Sequence, residues 1–346
     1  MRAAVLLLLL PAASSHGAAL APWGHRLDAV VRAELARHQG DELHPANIAI
    51  YVSDVARGEH WGFHDDVPMF LASGVKLLYL AEAYRQREAG LLSFHELLTY
   101  GAADARDGSP VLSKRPFGTR LPVAELIEFM VRDSDNAAAD VLARRIGVDN
   151  VRRHIVERFG ALGTVTDILD LRRGVYRSLD PRADSLTPVQ LRDVAWGPGY
   201  PPRLDLLQRH IGLPFGRYHD GDLDQAYSVY YLTGRNHAPM RTIGRLLEAI
   251  ASRTFVSSVA CDEMLSLMDH VKTSARRVEG ALPEGVPVAH KTGTQHKRVV
   301  DFAIITLPNG APLIVAAAVA GGDRVRAEDV IARLSRAAYD AARAPR

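Results

Sequence analysis

The sequence predicts an α/β fold: a single antiparallel sheet built from both ends of the chain, packed against helices, with an all-helical subdomain inserted in the middle. Two observations predict it. Strand-like segments lie near both ends of the chain, and apolar residues at helical spacing dominate the region between them. With 346 residues, of which 47% are hydrophobic and 24% charged, the chain can bury a sizeable core.

The first half of the chain contains the N-terminal strands and most of the helices. Apolar residues at near-helical spacing predict a helix over 24–38, and β-branched residues predict a strand over 47–55. A turn at 56–58 leads into a second strand over 59–64. Helical patterns then cover 75–89, 123–132, 137–146 and 151–159.

The second half returns to strands. An irregular zone precedes a helix over 240–251, and an amphipathic stretch follows over 259–268. Strands are predicted over 286–292, 299–307 and 312–320. Pro308-Asn309-Gly310 forms the hairpin turn between the last two. A helix over 327–342 completes the predicted elements.

Residues 1–19 have the pattern of a secretory signal peptide. Met1-Arg2 is positively charged, the apolar run 3–10 ends at Pro11, and small residues follow. The alternative is a buried N-terminal helix. A run this short cannot span a bilayer, so the pattern predicts an exported protein, periplasmic or secreted, without a stable membrane anchor.

The remainder, 22–346, is predicted to be one catalytic domain. Its sheet-containing part covers about 22–72 and 252–346, and its helical subdomain about 73–251. Cys261, the single cysteine, can form no internal disulfide and is interpreted as a small core residue. We expect a monomer.

Charge and histidine patterns exclude several classes of function. The chain has 42 basic and 40 acidic side chains and no basic run interleaved with aromatics, which disfavours nucleic-acid binding. The histidines, including His60, His64 and His290, lack an accompanying set of metal ligands. We therefore expect neither a metal nor another cofactor.

Ser73-Gly74-Val75-Lys76 opens a predicted helix and is the first of three motifs that can carry chemistry. The i, i+3 spacing places the lysine one helical turn from the serine, on the same face. A serine hydroxyl needs a base before it can attack, and a helix N-terminus favours a developing oxyanion. Taken alone, the motif also fits an ordinary solvent-facing helix start.

The other two motifs are Ser134-Asp135-Asn136, before a helix, and Lys291-Thr292-Gly293-Thr294, at the end of a strand. Alone, the first also fits an N-cap and the second an edge strand guarded by a lysine. Together and in this order, S-x-x-K, S-D-N and K-T-G resemble the set found in class A β-lactamases and penicillin-binding proteins. The resemblance to class A β-lactamases extends over nearly all of the chain after residue 19.

The resemblance implies a sandwich of the β-lactamase/transpeptidase-like type, with the site in the cleft beside the helical subdomain. It also implies catalytic roles. Ser73 attacks a strained or activated amide carbonyl, Lys76 takes part in deprotonating it, and Ser134 relays a proton to the leaving nitrogen. The substrate that the resemblance implies is a β-lactam or a D-Ala-D-Ala-like peptide.

The same resemblance implies the binding residues. Asn136 holds the side-chain amide of the substrate, and Lys291, with the Thr292-Gly293-Thr294 segment, binds its carboxylate. The backbone N–H groups of Ser73 and Thr294 form the oxyanion hole. Arg298 either supplements the carboxylate site or is a solvated surface residue.

Two features depart from the class A pattern. The loop after S-D-N lacks the E-x-x-L-N glutamate that activates the deacylating water; Asp170 is the best candidate replacement, unless it forms a loop salt bridge with Arg172 or Arg173. The interval from Ser134 to Lys291 is also unusually long. The excess, about 160–236, contains several tyrosines and either forms a lid or specificity element or packs its own small core.

Three functions remain open at this point. The first is a serine hydrolase that acylates Ser73 and turns over a β-lactam or related amide. The second is a peptidoglycan-directed D-Ala-D-Ala carboxypeptidase or transpeptidase, in which the missing glutamate is expected. The third is a non-catalytic binding domain, against which the intact Ser73, Lys76, Ser134 and Lys291 argue.

Overall fold

The computed structural model describes residues 22–37, 47–196, 202–273 and 275–344. The signal peptide predicted at residues 1–19 lies outside these ranges. The helices are α1 (Pro22–Arg37), α2 (Val75–Glu88), α3 (Val123–Arg132), α4 (Asn136–Ile146), α5 (Val148–Phe159), α6 (Ile168–Leu179), α7 (Pro188–Trp196), α8 (Pro202–His210), α9 (Asp220–Tyr231), α10 (Met240–Ala251), α11 (Ser258–Asp269) and α12 (Arg324–Arg343). The strands are β1 (Ile48–Asp54), β2 (Glu59–Phe63), β3 (Pro68–Phe70), β4 (Leu97–Thr99), β5 (Arg120–Pro122), β6 (His237–Pro239), β7 (Val288–Gln295), β8 (Arg298–Thr306) and β9 (Pro312–Ala320).

The main sheet joins the two ends of the chain, as predicted. Its five strands run in the order β2-β1-β9-β8-β7, and every neighbouring pair is antiparallel. Strand β1, from the N-terminal part, pairs with β9, from the C-terminal part, in a register that places Ile48 opposite Val319. The predicted fold class is therefore confirmed.

Both faces of the sheet are buried because side chains along each strand alternate between two cores. Ile48, Ile50 and Val52 of β1 pack with α1 and α12. Ala49 and Tyr51 of the same strand face the larger core formed with the central helices. Within the described ranges, no helix is both long enough and apolar enough to cross a membrane.

Helix α2 passes through the middle of the larger core. Its side chains from Val75 to Ala83 are buried, so it has no solvent-facing side over its first turns. This burial places the turn before α2, which carries Ser73, between the sheet and the helical subdomain. The start of α2 is therefore buried, and the alternative of an ordinary solvent-facing helix start does not apply to this motif.

The prediction of an irregular zone before the helix at 240 is wrong. The described part of this segment contains four helices, α6 to α9, around a small core of their own; residues 197–201 lie outside the described ranges. Asp167 caps α6 by accepting a hydrogen bond of 2.9 Å from the Asp170 N–H. Gly174 lets α6 approach α9 closely, since a Cβ there would lie 2.6 Å from the Tyr230 ring.

The tyrosines of this insertion pack its own core, and that core is continuous with the cleft. Tyr227, Tyr230 and Tyr231 are buried together with Phe70 and Ala72, which directly precede Ser73. The ring of Phe70 lies 4.8 Å from that of Tyr231, measured between centroids. The insertion is therefore a structural part of the cleft wall.

Candidate active site

Ser73 lies in a 3₁₀ turn, Ala72–Gly74, directly before α2. Ala72 has a φ of 47°, a left-handed conformation that costs energy for a residue with a Cβ and tends to occur at functional sites. The turn is held because the Gly74 N–H donates to the Leu71 carbonyl at 2.8 Å. Ser73 lines a cavity of about 610 Å³ between β7, the insertion and the helical subdomain.

Lys76 extends from the first turn of α2 and is fully buried. Its Nζ atom lies 3.4 Å from Ser73 Oγ and donates to Asn136 Oδ1 at 2.7 Å and to Ser134 Oγ at 3.2 Å. Burial disfavours the charged ammonium and lowers the pKa of Lys76 to about 8, although Asp135, Asp140 and Asp107 oppose the shift. The amine is therefore positioned to accept the Ser73 proton near neutral pH.

Ser134 stands between two buried lysines. Its Oγ atom is 3.2 Å from Lys76 Nζ and 3.0 Å from Lys291 Nζ. Ser134 also has a left-handed φ of 54°, which directs its side chain into the cavity just before Asp135 caps α4. A hydroxyl in contact with two amines can pass a proton between them and a group bound in the cavity.

Lys291 lies in the middle of β7, because this strand is longer than predicted and reaches Gln295. The residues beyond the predicted end, Gly293 to Gln295, pair with β8, and Gln295 lies opposite Arg298. His296-Lys297 is the two-residue turn between the two strands. Burial, reinforced by the charge of Lys76, lowers the pKa of Lys291 well below its ordinary value. Two neighbouring buried ammonium groups repel each other, so at least one of them readily gives up its proton.

Gly293 explains why the K-T-G motif ends in glycine. A Cβ at this position would lie 2.7 Å from the backbone N of Gly74 and 2.7 Å from the Leu71 carbonyl oxygen. The absence of a side chain lets β7 approach the turn that holds Ser73. Gly293 therefore determines how closely β7 approaches the turn that holds Ser73.

Gly293→Ala is expected to lower the free energy of unfolding by about 1–3 kcal/mol, because the clashing atoms are backbone and cannot move aside. Urea unfolding monitored by circular dichroism measures the change. The matched control is Gly221→Ala in α9, where a Cβ would meet nothing within 4 Å. Equal stability of the two variants would contradict this account of the motif.

One end of the cavity can bind an anion. Thr292, Thr294 and Arg277 line it, and Arg324 borders it at the start of α12. Arg277 is buried, donates to the Gly293 carbonyl at 3.0 Å and forms an ion pair with Glu328 at 3.1 Å. It also donates to Thr294 Oγ1, which it therefore orients.

Arg277 was missed in the sequence because it lies in a loop with no recognisable pattern, and only the packing of this loop against β7 and β8 brings it to the site. Arg298, which the sequence offered as a candidate second ligand of the carboxylate, does not lie at this end of the cavity. Its guanidinium lies 4.3 Å from the centroid of the Tyr231 ring, and it is absent from the lining of the cavity.

Asn136 is fixed at both ends of its amide. Its Nδ2 donates to the Asp107 carbonyl at 2.7 Å, which leaves Oδ1 to accept from Lys76. Gly108 has a φ of 63°, and a Cβ there would lie 2.7 Å from Asn136 Nδ2. This glycine therefore allows the 107–108 loop to contact the amide.

The start of α6 forms the wall opposite β7. Ile168, Leu171 and Arg172 line the cavity there. Asp140 anchors this wall by accepting hydrogen bonds from the N–H groups of Ile168, at 2.7 Å, and Leu169, at 3.0 Å. The three side chains share one helix face, as expected for spacing of three and four residues.

Asp170, the sequence candidate for the water-activating base, is not brought to this wall. Its carboxylate accepts from Tyr230 at 3.0 Å and pairs with Arg235 at 2.6 Å. Among the described residues, the carboxylates that line the cavity are Asp107 and Asp133. Asp107 is paired with Arg172 and Asp133 with Lys272.

The structure thus brings Ser73, Lys76, Ser134, Asn136 and Lys291 together, with Thr292, Gly293 and Thr294 beside them. A sequence model described as the beta-lactamase enzyme family matches residues 31–342. Beta-lactamase VEB-1 from Pseudomonas aeruginosa is 21% identical over 269 residues, which cover 75% of this chain and 71% of that protein.

Solved structures share the fold at low sequence identity. A beta-lactamase from Chitinophaga pinensis superposes with a TM-score of 0.69 at 20% identity, over 91% of this chain and 99% of that one. The structure of PBP-A superposes with a TM-score of 0.69 at 17% identity, over 94% of this chain and 98% of that one. The fold of this chain is therefore equally similar to that beta-lactamase and to PBP-A.

Proposed function

Because this chain belongs to the beta-lactamase enzyme family, we propose that it is a serine hydrolase that forms an acyl-enzyme on Ser73 with β-lactams and with the acyl-D-Ala-D-Ala amides they resemble. The observation that carries the proposal is the convergence of Ser73, Lys76, Ser134 and Lys291 on one point of the cavity. Ser134 Oγ lies within 3.2 Å of the Nζ atoms of both lysines.

Acylation begins with attack of Ser73 Oγ on the amide carbonyl carbon, while Lys76 accepts the hydroxyl proton. The negative charge that develops on the carbonyl oxygen is stabilised by the backbone N–H groups of Ser73 and Thr294. Each donor of this kind commonly contributes about 3–4 kcal/mol. When the C–N bond breaks, Ser134 passes a proton to the leaving nitrogen, and the acyl group remains as an ester on Ser73.

The anion-binding end of the cavity supports a substrate with a carboxylate next to the scissile bond. Arg277 and Arg324 supply positive charge there, and Thr292 and Thr294 supply hydroxyl donors. Lys291 lies beside this end of the cavity and donates to Ser134 Oγ at 3.0 Å. Asn136 can donate its remaining amide hydrogen to the carbonyl of the acyl side chain. β-Lactams and D-Ala-D-Ala peptides carry both groups.

Release of the acyl group is the slow step in this proposal, and one observation favours the penicillin-binding peptidase as second candidate. The wall formed by Ile168, Leu171 and Arg172 presents no carboxylate to a water beside Ser73. General-base catalysis commonly contributes about 10²–10⁴-fold, so its loss at this step prolongs the acyl-enzyme.

The test is a time course of intact mass after mixing the protein with a penicillin. A mass increase equal to the whole drug supports the proposal, and its rate of decay separates the two candidates. Decay with accumulation of hydrolysed drug indicates a β-lactamase. A persistent adduct, with release of D-alanine from an acyl-D-Ala-D-Ala peptide, indicates the peptidase. No adduct and no D-alanine release would overturn the proposal.

Acylation is expected to accelerate with rising pH up to about pH 8 and then to level off. The reactive form of Lys76 is the neutral amine, and its pKa is about 8. Below this value each pH unit increases the neutral fraction about tenfold. Stopped-flow acylation by a fluorescent penicillin measures the profile, and a rate that does not change with pH would contradict the assignment of Lys76 as base.

A further inference from the structure

The insertion is joined to the opposite side of the cavity by a buried ion pair. Arg172, on α6, donates to Asp107 Oδ1 at 2.8 Å through Nε and to Oδ2 through Nη2. Its third donor, Nη1, contacts the hydroxyl of Tyr227 on α9 at 2.7 Å. The side chains of Arg172 and Asp107 are each only 10% exposed, so solvent screens the pair little.

Asp107, the acidic member of this ion pair, also contacts a residue of the proposed acylation site. The backbone carbonyl of Asp107 accepts the Nδ2 hydrogen bond of Asn136 at 2.7 Å. That bond turns Asn136 Oδ1 toward Lys76 Nζ, also at 2.7 Å. Three successive contacts therefore lead from Arg172 through Asp107 and Asn136 to Lys76.

We propose that Arg172 is a positioning residue for acylation: by holding Asp107, it fixes the carbonyl that orients the Asn136 amide and, through it, the Lys76 amine beside Ser73. The bidentate geometry suits this task, since a guanidinium fork fixes a carboxylate in both direction and distance. The inference rests on the proposed function, since it concerns the same Ser73 acylation. It gives the insertion a role in forming the acyl-enzyme.

The ion pair also has an electrostatic consequence. The charged groups around Lys76 are Asp135 and Asp107 in loops, Asp140 on α4 and Lys291 on β7. Asp107 raises the pKa of Lys76, and the positive charge of Arg172 offsets part of this effect. Removing Arg172 should therefore raise the pKa of Lys76, whereas removing the charge of Asp107 should lower it.

The experiment measures the acylation rate of the full chain by a fluorescent penicillin as a function of pH. For Arg172→Met we expect acylation about 10- to 100-fold slower, as for a small displacement of a catalytic group, with the midpoint of the pH profile shifted upward. For Asp107→Asn we expect a midpoint shifted downward. Arg177→Met is the matched control, since Arg177 is on the same helix, is 67% exposed and pairs only with Asp184 at the surface in the contacts described.

Two further variants keep the result interpretable. Arg172→Lys retains the charge but not the fork, so it should leave the midpoint near the wild-type value and still slow acylation. In the Arg172→Met/Asp107→Asn double variant the effects on rate should be less than additive, because the two residues act through one contact.

Unchanged rate and midpoint in folded Arg172→Met would overturn the inference, as would shifts of both single variants in the same direction. A loss of thermal stability without a change in midpoint would assign the pair a purely structural role, which also overturns it. If the wild-type protein itself forms no acyl-enzyme, the proposed function fails. This outcome differs from failure of the Arg172 inference, because it appears in the wild type, in which Arg172 is unchanged.

Discussion

Ser73→Ala is expected to form no covalent adduct with a penicillin under conditions in which the wild-type protein is fully labelled. The substitution removes the oxygen that attacks in our proposal. Ser134, the cavity hydroxyl that contacts both lysines, is assigned to proton transfer and not to attack. Acylation is therefore expected to be lost completely, so that intact-mass measurement detects no adduct. Ser73 is only partly exposed, and the change from hydroxyl to hydrogen should leave the fold intact.

The matched control is Ser178→Ala on α6, an exposed serine whose hydroxyl donates to the Gly174 carbonyl at 2.9 Å. This variant should be labelled like the wild type. A residual adduct on Ser73→Ala, located by peptide mapping, would identify a different nucleophile and show that the assignment of Ser73 is wrong.

Ile168→Glu is expected to accelerate release of the acyl group by about 10²–10⁴-fold, the usual contribution of a general base. Ile168 is the first residue of α6 and lines the cavity with Ser73. A carboxylate there would face the cavity that Ser73 lines, and the helix N-terminus would favour its negative charge. Steady-state hydrolysis of a chromogenic cephalosporin measures the gain.

Ile168→Gln is the control for Ile168→Glu, since it matches glutamate in size but supplies no base. It should leave release slow. If both variants release the acyl group at the wild-type rate while acylation persists, then a base at this point of the wall cannot reach the water, and the slow step has another cause.

These two predictions separate formation of the acyl-enzyme from its release. The groups that our proposal assigns to formation lie on α2, on the loop before α4 and on β7, each held by buried contacts. The wall that could supply the base for release is instead built from Ile168, Leu171 and Arg172. In our proposal, Arg172 serves the first step rather than the second.

The motifs could be predicted from the sequence because each is short. Spacing within S-x-x-K places Lys76 on the face of Ser73 whatever surrounds the helix, and the turn at Pro308-Asn309-Gly310 predicts the β8–β9 hairpin without knowledge of the sheet. The order of the three motifs then indicated the family, which the comparison with residues 31–342 supports.

The insertion could not be predicted in the same way. Its helices α6 to α9 bury their apolar side chains mainly against one another, and Phe70 and Ala72 join this core from a distant part of the sequence. Which faces of the four helices meet is decided by their packing, and spacing within a single helix does not show it. The spacing of Leu171, Val175 and Tyr176 in α6 is nevertheless a helical signal that the sequence contains.

By itself, the sequence determined the five strands of the main sheet, the fold class and the residues of the three motifs, since all of these depend on local spacing and on the hydrophobic pattern. Only the tertiary structure decided which side of α6 faces the cavity. Ile168, Leu171 and Arg172 lie on one face, while Asp170, two residues from Ile168 and from Arg172, points to Tyr230 and Arg235. Rotation of a packed helix is set by the contacts of both its faces, and those contacts come from residues far away along the chain. The same reason explains why Arg277 and Asp107 became visible as parts of the site only in the folded protein.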